Sequence, residues 1–560
     1  MSRVYEIADQ YVERFAELHP VAATAIGVPG HDAEMTDYSP EGDEAMAALN
    51  RETSGELSDA PIEGERDRVA REAMLERLDL DIELHDAGEQ LRALSILGSP
   101  LQGIRGCFDL MPRESEQHWR NIAARLQLVP QALRGYRSTL DEGLTRGVRA
   151  AQRQARECAA QCAVWSGRRE DTRPFFDSLL EAYQASEWGD DRAALRGDLE
   201  EGARLATEAY GELGDYLTER YLPAAEQRDA VGRDRYQLGV RVFNGVEIDL
   251  EQTYAWGWEE LYRVERELEE TAQRIAPGAG VEAAKELLES DPERAVEGVE
   301  EFRVWMQDLQ DSTVAAMDGV HFDIPDRVQR IEAMIAPPGG ALAMYYTGPS
   351  EDFSRPGRTW YPTGGKTRFP LWREVSIAYH EGVPGHHLQI GTTRHLGDVL
   401  SRFQRLLGGI SGYSEGWALY AERLMAELGY LDAPDAYMGM LASQALRSAR
   451  VVVDIGMHLE LSIPQDEAYH GGETWTPDLA LPFLEQRSHF PADFLASEVT
   501  RYLGIPGQAI SYKVGERRWL AAREQARERQ GAGFDLKAWH ARALDRGPMG
   551  LAQMERELGT

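Results

Sequence analysis

From about residue 61 to residue 235 the apolar residues recur at steps of three and four with charges between them, and strand-like alternation is nearly absent. The runs 65–86, 114–150 and 191–221 show it most clearly. They predict long amphipathic helices, which must bury their stripes against one another. Residues 1–27 predict another helix (Ile7, Tyr11, Phe15, Leu18) closed by His19-Pro20. The stretch 28–60, rich in Gly, Asp, Ser and Pro, predicts a loop with short helices. The glycine-broken piece 236–246 predicts a hinge or a strand. Helices resume from Glu251 to about Gln310, with Trp256, Trp258 and Tyr262 as core aromatics. The texture changes at about 321. Short extended pieces at 322–325, 328–335, 341–346 and 359–361 stand between Pro/Gly breaks and predict a small sheet. The expected fold class is mainly α with a small β-sheet (α+β). It divides into a helical N-terminal region (1–245), a helical linker region (246–320) and a region with the sheet and the chemistry (321–560).

The chemistry concentrates just after the sheet, in Glu374-Val375-Ser376-Ile377-Ala378-Tyr379-His380-Glu381-Gly382-Val383-Pro384-Gly385-His386-His387-Leu388-Gln389. A His-Glu pair followed by a His-His pair points to a divalent cation, zinc by preference, held by imidazoles beside a carboxylate that can activate water. The common His-Glu-x-x-His spacing puts both histidines on one helix face. Here position i+4 is Pro384. On an unbroken helix His386 would lie about 240° round from His380, and His387 about 10 Å further along the axis. Proline disrupts the turn, and Gly382 and Gly385 lower the cost of bending it. The spacing therefore predicts a looped or π-bulged turn that brings His386 beside His380, with His387 as the alternative ligand.

Two imidazoles need a third protein ligand. Glu415, after Ser414 as an N-cap, is the candidate, and Glu422 is the fallback or a partner to a ligand histidine. Tyr345 and Tyr346, just upstream, sit where an edge strand could pair with a substrate backbone. Further on, Arg447, Arg450, Asp454 and His458 follow helical spacing. Arg450 is expected to pair with Asp454, Arg447 or Arg450 to hold a substrate carboxylate, and His458 to donate to an oxyanion. Tyr512 and Lys513 are candidates to stabilise the tetrahedral intermediate and to bind substrate.

The net charge of −35 argues against nucleic acid or an anionic membrane as partner. Four lysines occur, so nearly all positive charge is arginine. No apolar leader and no apolar run of about 18 residues is present, which predicts a cytoplasmic protein. Cys107, Cys158 and Cys162 fit a reducing compartment; Cys158 and Cys162 are one helical turn apart and are expected as buried thiols.

The segments His380–Gln389, Glu415–Tyr420, Val452–His458 and Gly507–Gly515 together resemble the DUF885 family, which is similar to zinc metallopeptidases of the gluzincin type. The family motif of His-Glu, two spacers, Pro-Gly and His matches His380, Glu381 and His386, which favours His386 over His387. The resemblance implies a gluzincin-like metallopeptidase core in 321–560, with the helical N-terminal half enclosing a cleft. It implies one Zn²⁺ per chain on His380, His386 and Glu415, with Glu381 as general base and Tyr512 as oxyanion donor. A short peptide is the expected substrate. A non-peptide amide or ester is the alternative, and a non-catalytic, metal-stabilised binding protein with four protein ligands is the second.

Overall fold

The computed structural model describes residues 2–188, 193–336 and 344–559. Helices dominate, with five short strands among the described residues. The chain divides into two compact units. One holds Met1–Asp67, Met74–Val231 and Leu503–Ile505; the other holds Arg68–Ala73, Gly232–Tyr502 and Pro506–Thr560. The division thus falls at 231 instead of 245, and 246–320 belongs to the second unit.

In the first unit helix packs on helix. Ser115 starts the Glu116–Arg146 helix by accepting from the His118 N–H, and Gly147 ends it. Trp119, Leu126, Leu133 and Tyr136 form its buried stripe, which faces the Ala193–Tyr216 helix. Arg125 is wholly buried in this stripe. Its guanidinium donates to the carbonyls of Glu34 (2.8 Å) and His31 (2.7 Å) and to Thr24 Oγ1 (2.8 Å), so the charge is solvated by a loop instead of water. The loop expected over 28–60 is largely a helix, Pro40–Asp59. Ser39 caps it, Pro40 occupies its first position, and burial of Ala47, Leu49 and Leu57 outweighs its weak helix formers. Cys158 and Cys162 are buried thiols; burial pushes Cys162 up to about 12 and Cys158 higher still.

The second unit carries both sheets. Strand β1 (Ala295–Glu297) pairs antiparallel with β5 (Arg368–Pro370). In the three-stranded sheet, β4 (Gly357–Tyr361) lies between the parallel strand β2 (Ile331–Ile335) and the antiparallel strand β3 (Tyr345–Thr347). β3 is therefore an edge strand, as expected for Tyr345-Tyr346; residues 341–343 of the expected piece lie outside the described residues. The Val299–Met317 helix covers the sheet. Its Phe302 and Met306 pack with Tyr361, Phe369 and Ala378. The piece 322–325 forms no strand, and 236–246 is mostly the helix Arg233–Asn244, closed by Gly245 at φ 59°.

Two helix pairs build the rest. Leu250–Ile275 packs along Pro434–Leu459, and Ser411–Glu427 along Ser511–Gln530. The second pair is exceptionally close, because Gly416 faces Gly515. A Cβ on Gly416 would sit 2.4 Å from Gly515 Cα, so any side chain there would push the helices apart. The Ser411–Glu427 helix begins four residues earlier than Ser414 as N-cap suggested. Ser414 donates back to the Ile410 carbonyl (3.2 Å) inside the helix, and Glu415 lies one turn in.

Candidate metal centre

The stretch around Pro384 is neither a continuous helix nor a π-bulge. One helix, Glu374–Glu381, stops, and a second, His386–His395, begins. Gly382, Val383, Pro384 and Gly385 make the turn, with a cis Val383–Pro384 peptide. The Gly385 N–H donates to the Tyr379 carbonyl (3.0 Å), folding the chain so tightly that a Cβ on Gly385 would lie 2.0 Å from the His380 carbonyl oxygen. Only glycine fits. Trp417 Nε1 donates to the Pro384 carbonyl (2.8 Å), which ties the turn to the helix that carries Glu415.

The result is the convergence that the spacing alone would forbid. The imidazoles of His380 and His386 meet edge to face, with centroids 4.8 Å apart. Each presents Nε2 to Glu415 Oε2 at 3.4 Å, and the donor atoms of all three lie within 4.8 Å of one another. Bonds of about 2.0–2.1 Å to a tetrahedral ion place ligand atoms roughly 3.4 Å apart, so the two separations from Glu415 Oε2 suit a small divalent cation. Glu415 Oε2 is buried and accepts no hydrogen bond, as expected of an oxygen that awaits a cation. Burial alone would raise the Glu415 carboxyl, but the His386 and His380 rings hold it well below the usual carboxylate range. Among the described residues this is the one such donor group, and it has three members.

The neighbours of the donors are equally specific. His380 Nδ1 donates to Glu422 Oε1 (2.8 Å), which fixes the tautomer and turns Nε2 toward Glu415. Glu422 is fully buried, accepts from Ser376 Oγ (2.6 Å) and lies 3.5 Å from Arg447 Nη1. Burial would depress His380, yet Glu415 and Glu422 lift it to about 9. His387 is spent elsewhere. Its Nε2 donates to the Val328 carbonyl (2.6 Å), so its Nδ1 accepts from the Tyr346 hydroxyl (2.9 Å). Both ring nitrogens are taken, and neither remains for a metal.

A cavity of about 450 Å³ opens over the three donors. Glu381, Tyr345, Tyr346, Arg447, Arg450 and Tyr512 line it, together with apolar residues including Ile377, Ile390, Leu446, Phe490 and Phe494. Burial raises the Glu381 carboxyl despite the nearby imidazoles. Tyr512, at the start of the Ser511–Gln530 helix, stacks 6.5 Å from His380, and burial and the Glu415 carboxylate raise its phenol.

Two expected site residues do not reach this cavity. His458 lies at the far end of the Pro434–Leu459 helix, fully buried, with Nε2 donating to the Tyr502 carbonyl (3.0 Å); burial lowers it to about 4. It is a neutral core histidine. Lys513 is fully buried on the other face of its helix, held by Gln444 Oε1 (2.6 Å), Glu260 Oε1 (2.7 Å) and Glu516. It is a core cation among carboxylates, away from substrate. The Arg450–Asp454 pair does not form either. Arg450 binds Glu498 (2.6 Å) and the Tyr502 hydroxyl (2.9 Å), and Asp454 accepts from the Tyr236 hydroxyl (2.7 Å) and the Gly507 N–H (3.1 Å). Sequence reasoning missed Ser376, Trp417, Phe490 and Phe494. Only the i, i+4 phenylalanine pair left a local trace.

Among curated proteins, none matches the sequence. Two solved structures share its fold over the whole length. A candidate lipoprotein from Colwellia psychrerythraea is 20% identical with a TM-score of 0.86, over 99% of this chain and 98% of its own. A candidate lipoprotein of unknown function from Shewanella oneidensis is 15% identical with a TM-score of 0.73, over 99% of each chain. A Pyrococcus furiosus carboxypeptidase in an apo-Mg form is 15% identical over 99% and 96%, but at a TM-score of 0.38 it carries no argument. The expectation of a cytoplasmic protein is overturned by this comparison, since these two structural relatives are described as lipoproteins. The second unit has no helix long and apolar enough to cross a membrane, and neither has the first, among the described residues. The family model described as "Bacterial protein of unknown function (DUF885)" matches residues 20–558, and the chain belongs to that family.

Proposed function

We propose that this protein is a zinc-dependent hydrolase of short peptides. The observation that carries the reading is the convergence of His380 Nε2, His386 Nε2 and Glu415 Oε2 on the wall of a cavity that Glu381 also lines. Three donors, not four, favour a site that keeps a position for water or substrate over a closed structural one. Bound there, zinc would lower the pKa of a coordinated water toward 7 and polarise a carbonyl.

The chain's own residues supply the rest. Glu422 keeps His380 in the tautomer whose Nε2 lone pair faces the site. Glu381, whose carboxyl is raised by its burial, takes the proton of the attacking water. It returns that proton to the departing amine nitrogen. Tyr512 donates its phenol hydrogen to the carbonyl oxygen as negative charge builds there. Tyr346 cannot share that task, because its hydrogen is committed to His387.

Metal analysis of the purified protein, then a library of short peptides, tests the reading. Glu381→Gln should keep the metal and lose at least about 100-fold in turnover. Turnover that survives this substitution removes Glu381 as the base. Turnover without a bound metal removes the whole reading.

A further inference from the structure

The chain carries a net charge of −35, yet two arginines one turn apart, Arg447 and Arg450, line the cavity. Arg450 is neutralised by Glu498 and by the Tyr502 hydroxyl. Arg447 is not. Among the described residues its one polar partner is Glu422, at 3.5 Å, and that carboxylate already serves His380 and Ser376. The Arg447 side chain is only 12% exposed, and its guanidinium lies over the Tyr512 ring, 5.6 Å from the centroid. Five donors in a planar fork, mostly buried and nearly unused, suit a planar anion with two oxygens.

Resting on the hydrolase reading above, we infer that the cavity takes the C-terminal end of a short peptide, with its α-carboxylate on Arg447. Distance decides how much of the peptide fits. The steps from Arg447 Nη1 to Glu422 Oε1 (3.5 Å) and from there to His380 Nδ1 (2.8 Å) bound the guanidinium to within about 9 Å of His380 Nε2. A residue spans about 3.3–3.6 Å, so one or two residues fit between the anchored carboxylate and the bond that is cut. Ile377, Ile390, Leu446 and Phe494 line the same cavity, which favours an apolar terminal side chain. The reaction is the hydrolysis already described: water adds across the amide, releasing a free amino acid or dipeptide and a shortened peptide with a new carboxylate.

The test uses acetylated peptides with an apolar last residue, each made as the free acid and as the C-terminal amide. Binding to metal-loaded Glu381→Gln protein is measured by calorimetry, and the products of the unsubstituted enzyme are identified by mass. The acid should bind about 10- to 100-fold more tightly than the amide, and mass should fall from the C-terminal end. Arg447→Met should erase the preference at unchanged metal content, and Arg447→Lys should restore part of it. Equal binding of acid and amide overturns the inference, with no substitution at 447 required. So does a preference that persists in Arg447→Met, or loss of metal alone, which would make Arg447 a neutralising partner of Glu422. Cleavage of acid and amide alike sinks this inference and leaves the hydrolase; an Arg447-dependent acid preference with no cleavage does the reverse.

Discussion

Glu422→Gln isolates the contribution of a residue that touches neither a metal nor the cavity. The side chain is fully buried, and its shape barely changes. What changes is charge. The carboxylate now accepts from His380 Nδ1 at 2.8 Å and from Ser376 at 2.6 Å, with Arg447 at 3.5 Å. An amide oxygen can still accept from Nδ1, so the tautomer survives. The amide cannot strengthen the ring as an electron donor, and it leaves the Arg447 cation without its anion. Loss of such an outer partner typically weakens metal binding 10- to 100-fold, which is about 1.4–2.7 kcal/mol. Zinc affinity, measured by competition with a fluorescent chelator at fixed pH, should fall by that factor in the variant, while His380→Ala should lose the site outright. The melting temperature of the metal-free variant serves as the control for folding. If Glu422→Gln binds zinc within twofold of the unsubstituted protein, Glu422 does not tune His380.

Three further outcomes follow from the geometry. Tyr512→Phe should lower kcat on the order of 100-fold with little change in KM or metal content, read by steady-state kinetics and metal analysis, since the phenol acts as charge develops. His387→Ala should keep one metal per chain, because both of its nitrogens are engaged by Val328 and Tyr346; metal analysis that shows loss of the ion would reassign the ligand. Asp454 is raised by burial to about 7 from 3.8. It holds its proton more tightly folded than unfolded, so its stabilising contribution is complete below about 4 and is lost as pH rises through about 7. The loss is on the order of 4 kcal/mol. Asp454→Asn should therefore flatten the decline in melting temperature between pH 4 and 8, and an unchanged slope would exclude Asp454 as its source.

The helices, the small sheet and the place of the site were legible because each leaves a local signature. Periodicity marks the buried stripes, and Pro384 between histidines marks a broken turn. The form of the break was not legible. Whether the chain bulges or restarts depends on how closely Gly385 can approach the His380 carbonyl and on Trp417, 33 residues on, holding Pro384. Buried charges misled for the same reason. Spacing along one helix offers Asp454 to Arg450, but the fold supplies Glu498, 48 residues away, and gives Asp454 to Tyr236. Lys513 likewise finds Glu260 across a helix contact that no local rule foresees. His387 illustrates the point most sharply: its partners, Val328 and Tyr346, lie 59 and 41 residues upstream.

That last linkage has a mechanical meaning. Tyr346 belongs to the open rim of the sheet, and His387 is the immediate successor of His386. One phenol and one ring thus rivet the rim to the backbone beside a donor atom. A guest laid along β3 would sit one hydrogen bond and one peptide unit from His386, so the surface that would greet a peptide and the apparatus that would cut it are directly linked.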